Sequence, residues 1–304
     1  MGLLEKAKTP QKTDSRLKLL LYGTWNTGKT MAAIQFPNSL IIDAEHSTDN
    51  YYETIAKMGS KVIQTNSYED AKQIIRELRT TKHAYKTLII DPVTMFNQDC
   101  REVWLNKFRI ADKKNTELDD FGVRYWGKVK SDWNSFYREL HKLDMNVIVT
   151  AHQKDKYSDG GDLKKIGYTF DSDTKADGHA MVHVMRIEKR GMDRVVITEK
   201  QRVDVGKKSF PDEYLWKDIP AIYQYFKEFM GSDDLEKEST PVVLASAEQV
   251  SELIRLTKLL NTDEDLIRKW LKKADAENFS DMTSDQINAC INFLKKQIEP
   301  EGDK

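Results

Sequence analysis

The chain has 304 residues, of which 39% are hydrophobic and 32% are charged, with a formal net charge of -1. This composition is typical of a globular protein with one large domain and a small one, and the balanced charge excludes a general attraction to nucleic acid, so such binding needs a local patch. Its two cysteines lack metal-ligand spacing and no apolar run approaches the length of a membrane span, so we expect reduced thiols and a cytoplasmic protein.

Seven apolar, β-prone runs follow one another from Leu17 onward and alternate with helical patterns. In chain order they are LKLLLYG, SLIIDAE, KVIQT, TLIIDPVT, NVIVTAH, HVMRIEKR and RVVITEKQ. This alternation predicts an α/β fold, in which a mostly parallel sheet is flanked by helices. Ligands of such folds bind at the carboxyl ends of the strands.

Changes in composition divide the chain into four predicted segments. They are a flexible N-terminal tail (1–16), the α/β core (17–229), a polar linker (230–245) and a small helical C-terminal module (246–298). Capping boxes at Ser246 and Thr283, each with glutamine three residues later, predict helix starts in the module. Apolar residues recur there at helical spacing, at Val250, Leu253, Ile254, Leu256 and Leu260.

A glycine-rich loop follows the first predicted strand and matches G-x-x-x-x-G-K-T. In such a loop the backbone N–H groups surround phosphates, the lysine reaches the β- and γ-phosphates, and the threonine hydroxyl ligates Mg²⁺. The sequence therefore predicts a site for ATP or GTP with Mg²⁺, and ATP is the nucleotide we expect. The predicted contacts to the nucleotide in this loop are Gly23, Thr24, Asn26, Thr27, Gly28, Lys29, Thr30 and Met31.

The fourth predicted strand ends in a carboxylate that suits the metal. The run TLIIDPVT closes on Asp91, where a carboxylate can hold a magnesium-bound water beneath the phosphates. An aspartate at the end of a strand often marks only a turn. Together with the glycine-rich loop, however, Asp91 and Thr30 are predicted as the metal site.

The run after the second strand carries a family resemblance. IIDAEHSTDNYYETIAKMG closely resembles the corresponding segment of the bacterial recombinase RecA, which reads I-D-A-E-H-A-L-D-P-x-Y. The resemblance implies a RecA-like P-loop NTPase core, with Glu45 as the catalytic glutamate that activates water and with Asp49 and Tyr52 as adenine contacts. Asn50 stands where that family has proline.

The same resemblance assigns roles to two later strands. RecA-like proteins sense the γ-phosphate with a glutamine after the strand that corresponds to NVIVTAH; the register places His152 there, with Gln153 as the alternative. Lys200 and Arg202 are spaced i, i+2, which predicts one face of a strand. A K-x-R pair in RecA-like and DnaB-type ATPases reaches the nucleotide of the neighbouring subunit, although a solvated charge pair is the alternative here.

A glycine-rich connection after the sensor strand mixes lysines with aromatic residues. This mixture suits phosphate contacts and base stacking on single-stranded DNA, and the segment corresponds to the second DNA-binding loop of RecA. The predicted DNA contacts are Lys154, Lys156, Tyr157, Lys164, Lys165 and Tyr168. Aspartates interspersed among the lysines reduce the positive charge, so the alternative is a mobile solvated loop. A second candidate for contacting DNA is the basic and aromatic segment RYWGKVKSDWNSFYREL. Its pattern, however, predicts a helix with Trp133, Phe136 and Leu140 on the buried side, so these side chains belong to the core.

The predicted core resembles the compact RecA-type ATPases of bacteriophage genomes, which are grouped with single-strand-annealing recombination proteins. The resemblance implies an oligomeric ATPase that binds single-stranded DNA, with the nucleotide at the subunit interface, and that works in the host cytoplasm. Its C-terminal helices resemble small tails of phage recombination proteins, which implies contact either with DNA or with a partner such as a single-stranded-DNA-binding protein. The alternatives are a nucleotide-switched loader or regulatory ATPase that acts on a protein without touching DNA, and a small-molecule kinase.

Overall fold

The structure is a computed structural model that describes residues 16–111, 123–158, 164–173, 177–178, 180–202, 209–216, 221–230 and 235–298. The predicted tail before residue 16 and residues 231–234 of the predicted linker lie outside this part. The chain divides into two compact units, one formed by Met1–Leu78 and His83–Ser239, the other by Arg79–Lys82 and Thr240–Lys304. Within the described residues no helix has the length and apolar character that crossing a bilayer would require.

One mixed sheet organises the larger unit. Its described strands are β1 Lys18–Gly23, β2 Ser39–Asp43, β3 Lys61–Gln64, β4 Thr87–Asp91, β5 Asn146–Tyr157, β6 Lys165–Phe170, β7 His183–Arg190, β8 Asp193–Lys200 and β9 Glu213–Trp216. The order is β3-β2-β4-β5-β1-β7-β8-β9, and β6 pairs with β5 outside this row. The six strands from β3 to β7 run parallel, while β8, β9 and β6 pair antiparallel with their neighbours. All seven predicted runs form strands.

Helices cover the sheet and build the smaller unit. Those of the larger unit are α1 Lys29–Ala33, α2 Tyr52–Lys57, α3 Tyr68–Thr80, α4 Val93–Ala111, α5 Val123–Lys142 and α6 Ala221–Met230. Those of the smaller unit are α7 Ala247–Leu259, α8 Glu264–Ala274 and α9 Ser284–Ile298. The predicted fold class, an α/β fold with a mostly parallel sheet flanked by helices and a small C-terminal helical module, is confirmed.

The central strands have apolar side chains on both faces because helices pack against each face. In β1, Leu20 and Tyr22 belong to one buried cluster, and Leu19 and Leu21 belong to the other. This two-sided burial is the reason why the parallel strands read as continuous apolar runs. Trp133 and Phe136 of α5 join the first cluster, as the sequence predicts for this helix.

Lys18 ties the amino end of β1 to the carboxyl end of α5. Its side chain is buried, and the Nζ atom donates hydrogen bonds to the carbonyl oxygens of Leu140 at 2.9 Å and of Leu143 and Met145 at 3.1 Å. Burial lowers the pKa of Lys18 to about 7. Carbonyl groups at a helix end have no partner within the helix, so a lysine can satisfy them.

The strand β5 does not end at His152, as the sequence pattern indicates, but continues to Tyr157. From Gln153 onward it pairs antiparallel with β6, and we call these two stretches the β5–β6 hairpin. The prediction of one long loop from Gln153 is therefore wrong. Charged side chains hide the pattern, because the exposed part of β5 reads Lys-Asp-Lys and has no apolar face.

The capping boxes predicted for the smaller unit are both present. The Ser246 hydroxyl accepts from the backbone N–H of Gln249, and the Gln249 side chain accepts from the backbone N–H of Ser246. Thr283 and Gln286 form the same reciprocal pair next to α9. Leu253 and Leu256 of α7 are buried, whereas Ile254 is 39% exposed. The apolar stripe of α7 is thus narrower than the sequence pattern indicates.

Candidate nucleotide-binding site

The loop from Gly23 to Thr30 joins β1 to α1 at the carboxyl edge of the sheet. Gly28 has φ 96°, a left-handed conformation that favours glycine, and Asn26 has φ 58°. A Cβ atom at Gly23 would lie 2.2 Å from the carbonyl oxygen of Ile187 in β7, so only glycine fits there. Glycine is therefore required at the two positions for different reasons, a left-handed backbone conformation at Gly28 and a close contact with β7 at Gly23.

Lys29 folds over this loop. Its Nζ atom donates to the carbonyl oxygens of Gly23 at 3.0 Å and Thr24 at 2.8 Å. Burial lowers the pKa of Lys29, although the nearby carboxylates of Asp91 and Glu45 oppose that change. The ammonium group thus lies against the loop whose backbone N–H groups would surround a phosphate.

Three hydroxyl groups converge on the buried carboxylate of Asp91. The hydroxyls of Thr30 and Ser47 each donate to Oδ2 at 2.7 Å, and the Thr150 hydroxyl donates to Oδ1. The structure therefore brings together the two predicted metal residues, which lie on α1 and β4. Such a set of oxygen atoms fits Mg²⁺, which prefers hard oxygen ligands and water.

Asp43, at the end of β2, shapes the segment that carries Glu45. Its carboxylate accepts hydrogen bonds from the backbone N–H groups of Glu45, Ser47 and Thr48 and from the Thr48 hydroxyl. Burial would raise the pKa of Asp43, but these hydrogen bonds outweigh it and the pKa lies below its ordinary value. An ionised carboxylate thereby fixes the backbone around Glu45.

Glu45 and His152 meet at the carboxyl edge of the sheet. The Glu45 Oε2 atom lies 3.2 Å from Nε2 of His152, and both side chains are partly exposed. The backbone N–H of His152 donates to the Thr94 hydroxyl at 3.0 Å, which joins β5 to the start of α4. The catalytic and sensor residues predicted from separate strands are therefore direct neighbours. Their roles stay predictions.

Asp49 and Tyr52 lie farther out, beside the edge strand β3. The Asp49 carboxylate accepts from the Gln64 side chain at 2.5 Å, and the Tyr52 ring is 68% exposed. Both residues line an open cavity of about 470 Å³ between α2 and β3. In the sheet, β2, β4 and β5 separate this edge from β1. The adenine contact stays a prediction.

Lys200 and Arg202 lie at the sheet edge opposite to the glycine-rich loop. Lys200 pairs in register with Val184, which pairs with Leu20 near the start of β1. The Lys200 ammonium donates to the carbonyl oxygens of Gly178 and Met181 at 2.5 and 2.6 Å.

The expectation that both cations share a strand face is wrong, because β8 ends at Lys200. The Gln201 side chain bonds both backbone groups of Phe210, accepting from its N–H at 2.9 Å and donating to its oxygen at 3.2 Å. Side-chain bonding of this kind takes the place of a strand ladder. Arg202 lies beyond the strand and is exposed.

The β5–β6 hairpin carries the residues predicted to contact DNA, except Lys164, which directly precedes β6. Lys154 forms an ion pair with Asp171 at 3.1 Å, and Lys165 forms one with Asp155 at 2.9 Å. Lys156 and Lys164 are exposed, and no described carboxylate pairs with either. The residues Tyr157 and Tyr168 are 50% and 43% exposed. This surface thus presents two lysines without a carboxylate partner in the described part of the chain, and two partly exposed tyrosines.

Sequence reasoning missed several residues of this site. Ser47 and Thr150 contact Asp91, and Thr94 contacts the backbone of His152. Thr94 and Thr150 stand within or beside runs that were already predicted as strand ends, so their position was an available signal. Ser47 lies in the segment after Asp43, where the RecA pattern has alanine, and that departure was the signal at this position.

Of the comparisons with known proteins, a family match covers the glycine-rich loop. The sequence profile of the AAA domain family matches residues 15–210. A solved structure, the crystal structure of the RadB recombinase, is similar over 60% of this chain and 80% of that chain, with 14% identity and a TM-score of 0.39. No curated protein matches the sequence.

Proposed function

This chain belongs to the AAA domain family, and we propose from that premise that it hydrolyses ATP with Mg²⁺ while bound to single-stranded DNA, in recombination or annealing of the phage type. One observation carries the proposal furthest. The single strand β5 holds His152 beside Glu45 and then continues into the β5–β6 hairpin with its exposed cations. A nucleotide site and a candidate DNA surface are thereby joined by one continuous backbone.

Phosphate binding falls to the loop between β1 and α1. Lys29 would exchange its two carbonyl acceptors for phosphate oxygens, which make stronger, charge-assisted hydrogen bonds. The Thr30 hydroxyl and the Asp91 carboxylate would hold the metal and its water molecules. Bound there, Mg²⁺ would neutralise negative charge on the phosphate oxygens during transfer.

Glu45 is the residue that would orient and deprotonate the attacking water. Its carboxylate is held by His152 on one side, and its backbone N–H donates to Asp43 on the other. A base fixed in this way can act on a water molecule without first ordering its own side chain. His152 would report the state of the γ-phosphate through the same contact.

The exposed surface of the β5–β6 hairpin supports the DNA part of the proposal. Lys156 and Lys164 supply positive charge for phosphates, and Tyr157 and Tyr168 supply rings on which bases stack. The Tyr168 ring is flanked by two cations, Lys165 with Nζ at 4.5 Å and Arg186 at 5.5 Å from its centroid. A base that stacks on this ring would take the place of one of these cations, which would then lie beside the DNA phosphates.

The test is steady-state ATP hydrolysis with and without single-stranded DNA, at low and moderate salt, with Lys29→Ala as the blank. We expect DNA to stimulate hydrolysis and the stimulation to weaken with salt, because phosphate contacts release counterions. Lys156→Ala combined with Lys164→Ala should remove the stimulation and keep the basal rate. Hydrolysis that DNA does not change would contradict the DNA part and leave the ATPase intact.

A nucleotide-switched loader or regulatory ATPase is the second candidate. It is favoured by the ion pairs of Lys154 with Asp171 and of Lys165 with Asp155, which lower the positive charge of the hairpin. Its partner would be a protein bound by the helical module, residues 246–298. In either function that module would take a partner such as a single-stranded-DNA-binding protein.

Self-association is part of the leading proposal. Lys200 and Arg202 lie at the edge of the sheet opposite to the glycine-rich loop, so they face away from the nucleotide of their own chain. A head-to-tail contact between copies would bring this edge to the nucleotide of a neighbour. Of the two, Arg202 is the better candidate, since Lys200 already donates to two carbonyl groups.

A further inference from the structure

Two side chains from the strands β8 and β9 pack on the glycine-rich loop. A Cβ atom placed on Gly28 would lie 2.9 Å from the Trp216 ring and 3.3 Å from Nε of Arg194. Arg194 is in β8 and Trp216 in β9, and the two residues are paired in register. An arginine thus lies directly beside the residue that precedes Lys29, within the same chain.

The Arg194 guanidinium lacks the partners that a half-buried arginine usually has. Its Nε atom is buried and donates no hydrogen bond, and no carboxylate in the described part of the chain pairs with the group. A buried N–H without an acceptor costs free energy. Arg186 and Arg190 on the neighbouring strand β7, in contrast, each pair with two glutamates.

A second cation faces the same side. Lys189 of β7 is paired in register with Arg194 and is exposed. Residues directly opposite in an antiparallel pair project from the same face, and like charges in such a pair are destabilising. Among the described residues neither Arg194 nor Lys189 has a carboxylate partner, and Arg194 lies against the glycine-rich loop. An anion bound there would therefore stabilise this pair of like charges.

We propose that Arg194 binds the phosphates of the nucleotide held by the glycine-rich loop of its own chain, and that Trp216 holds the arginine in place. The inference rests on the proposed nucleotide binding and adds a specific contact to it. Arginine suits this role because its planar group gives two parallel hydrogen bonds to phosphate oxygens. Arg194 acts in cis, in contrast to Arg202 at the opposite edge.

The test compares nucleotide binding by the full chain and by Arg194→Met, which keeps an apolar stem against Gly28 and removes the charge. Dissociation constants for Mg-ATP, Mg-ADP and AMP are measured by equilibrium dialysis. We expect ATP affinity to fall about tenfold or more, with a smaller loss for AMP, and partial recovery in Arg194→Lys. Arg190→Met is the matched control, because Arg190 is on the opposite face of the same hairpin and pairs with Glu213.

Thermal unfolding without nucleotide separates binding from packing. Removing one member of a like-charged pair should leave the unfolding midpoint of Arg194→Met unchanged or raise it, while the upward shift caused by ATP becomes smaller. A lower midpoint with ATP affinity retained would overturn the inference and make Arg194 a packing residue. If the unmodified chain fails to bind ATP, it is the proposed function that fails.

Discussion

At the scale of the residue, the contact between Glu45 and His152 makes the clearest prediction. Glu45→Gln keeps the size of the side chain and can still bond His152, but it cannot accept a proton from water. We expect the hydrolysis rate to fall about a hundredfold or more and ATP binding to stay unchanged. Steady-state turnover and equilibrium binding measure the two effects separately.

Glu77→Gln is the control for this substitution. Glu77 is a glutamate of α3 whose carboxylate accepts from Gln73, away from the glycine-rich loop. The Glu77→Gln variant should hydrolyse ATP at the rate of the unmodified chain. Unchanged turnover in Glu45→Gln would show that another group activates the water.

Asp177 makes a prediction about pH. Its carboxyl group is buried, Oδ1 accepts from the Trp133 indole at 2.8 Å, and burial raises its pKa to about 7. Since the pKa of aspartate in an unfolded chain is about 4, the stability contributed by protonated Asp177 is complete below about pH 4 and is lost as pH rises through about 7.

Asp177→Asn removes this titration and keeps the acceptor for Trp133. At about 1.4 kcal/mol per pKa unit, the variant should exceed the unmodified chain in free energy of unfolding by up to about 4 kcal/mol at pH 8 and by less at pH 5. Urea unfolding at the two pH values measures the difference. An equal difference at both would mean that Asp177 does not titrate in this range.

At the scale of the element, the β5–β6 hairpin separates paired from unpaired lysines. Lys156→Ala and Lys164→Ala should each weaken binding to single-stranded DNA and lower the slope of log affinity against log salt by about 0.7. Lys154→Ala should have a smaller effect, because its ammonium is already shared with Asp171. Fluorescence anisotropy of a labelled oligonucleotide at several salt concentrations measures both quantities. Equal effects from Lys154 and Lys156 would contradict the distinction.

The same scale shows what sequence can predict. Six of the seven predicted strands could be recognised because burial on one or both faces requires apolar runs. The strand β3 is mostly exposed, and only its adjacent β-branched residues Val62 and Ile63 indicated a strand. The strands β6 and β9 were missed, since KIGYTF and EYLW are short, partly exposed and lie at edges of the pairing order.

The residues of the candidate site likewise fall into those that the sequence predicts to be close together and those that it does not. Lys29, Thr30, Asp91 and Glu45 stand at carboxyl ends of strands, which a parallel sheet brings to one edge, so their proximity follows from the sequence pattern. Arg194 and Trp216 could not be placed, because their contact with Gly28 depends on how β8 and β9 pair, and no local motif fixes that pairing.

At the scale of the whole molecule, the opposite positions of the glycine-rich loop and Arg202 predict complementation between subunits. Lys29→Ala lacks the phosphate contact, and Arg202→Ala lacks the group that acts on a neighbour, so each alone should have little activity. In a head-to-tail assembly, random mixing in equal amounts restores an intact interface in about one quarter of the contacts. Steady-state hydrolysis of the mixture measures this recovery. A mixture no more active than its components would place Arg202 outside the reaction.

Lys18 has a mechanical consequence for this arrangement. Three hydrogen bonds anchor the amino end of β1 to the last turn of α5 and the residues after it, and β1 is paired in register with β5 and β7. Sliding β1 along its axis would break the anchor and turn buried side chains to the wrong face. The strand β1 therefore cannot shift along its axis. A displacement at the glycine-rich loop must be transmitted through the neighbouring strands and the segments that follow them.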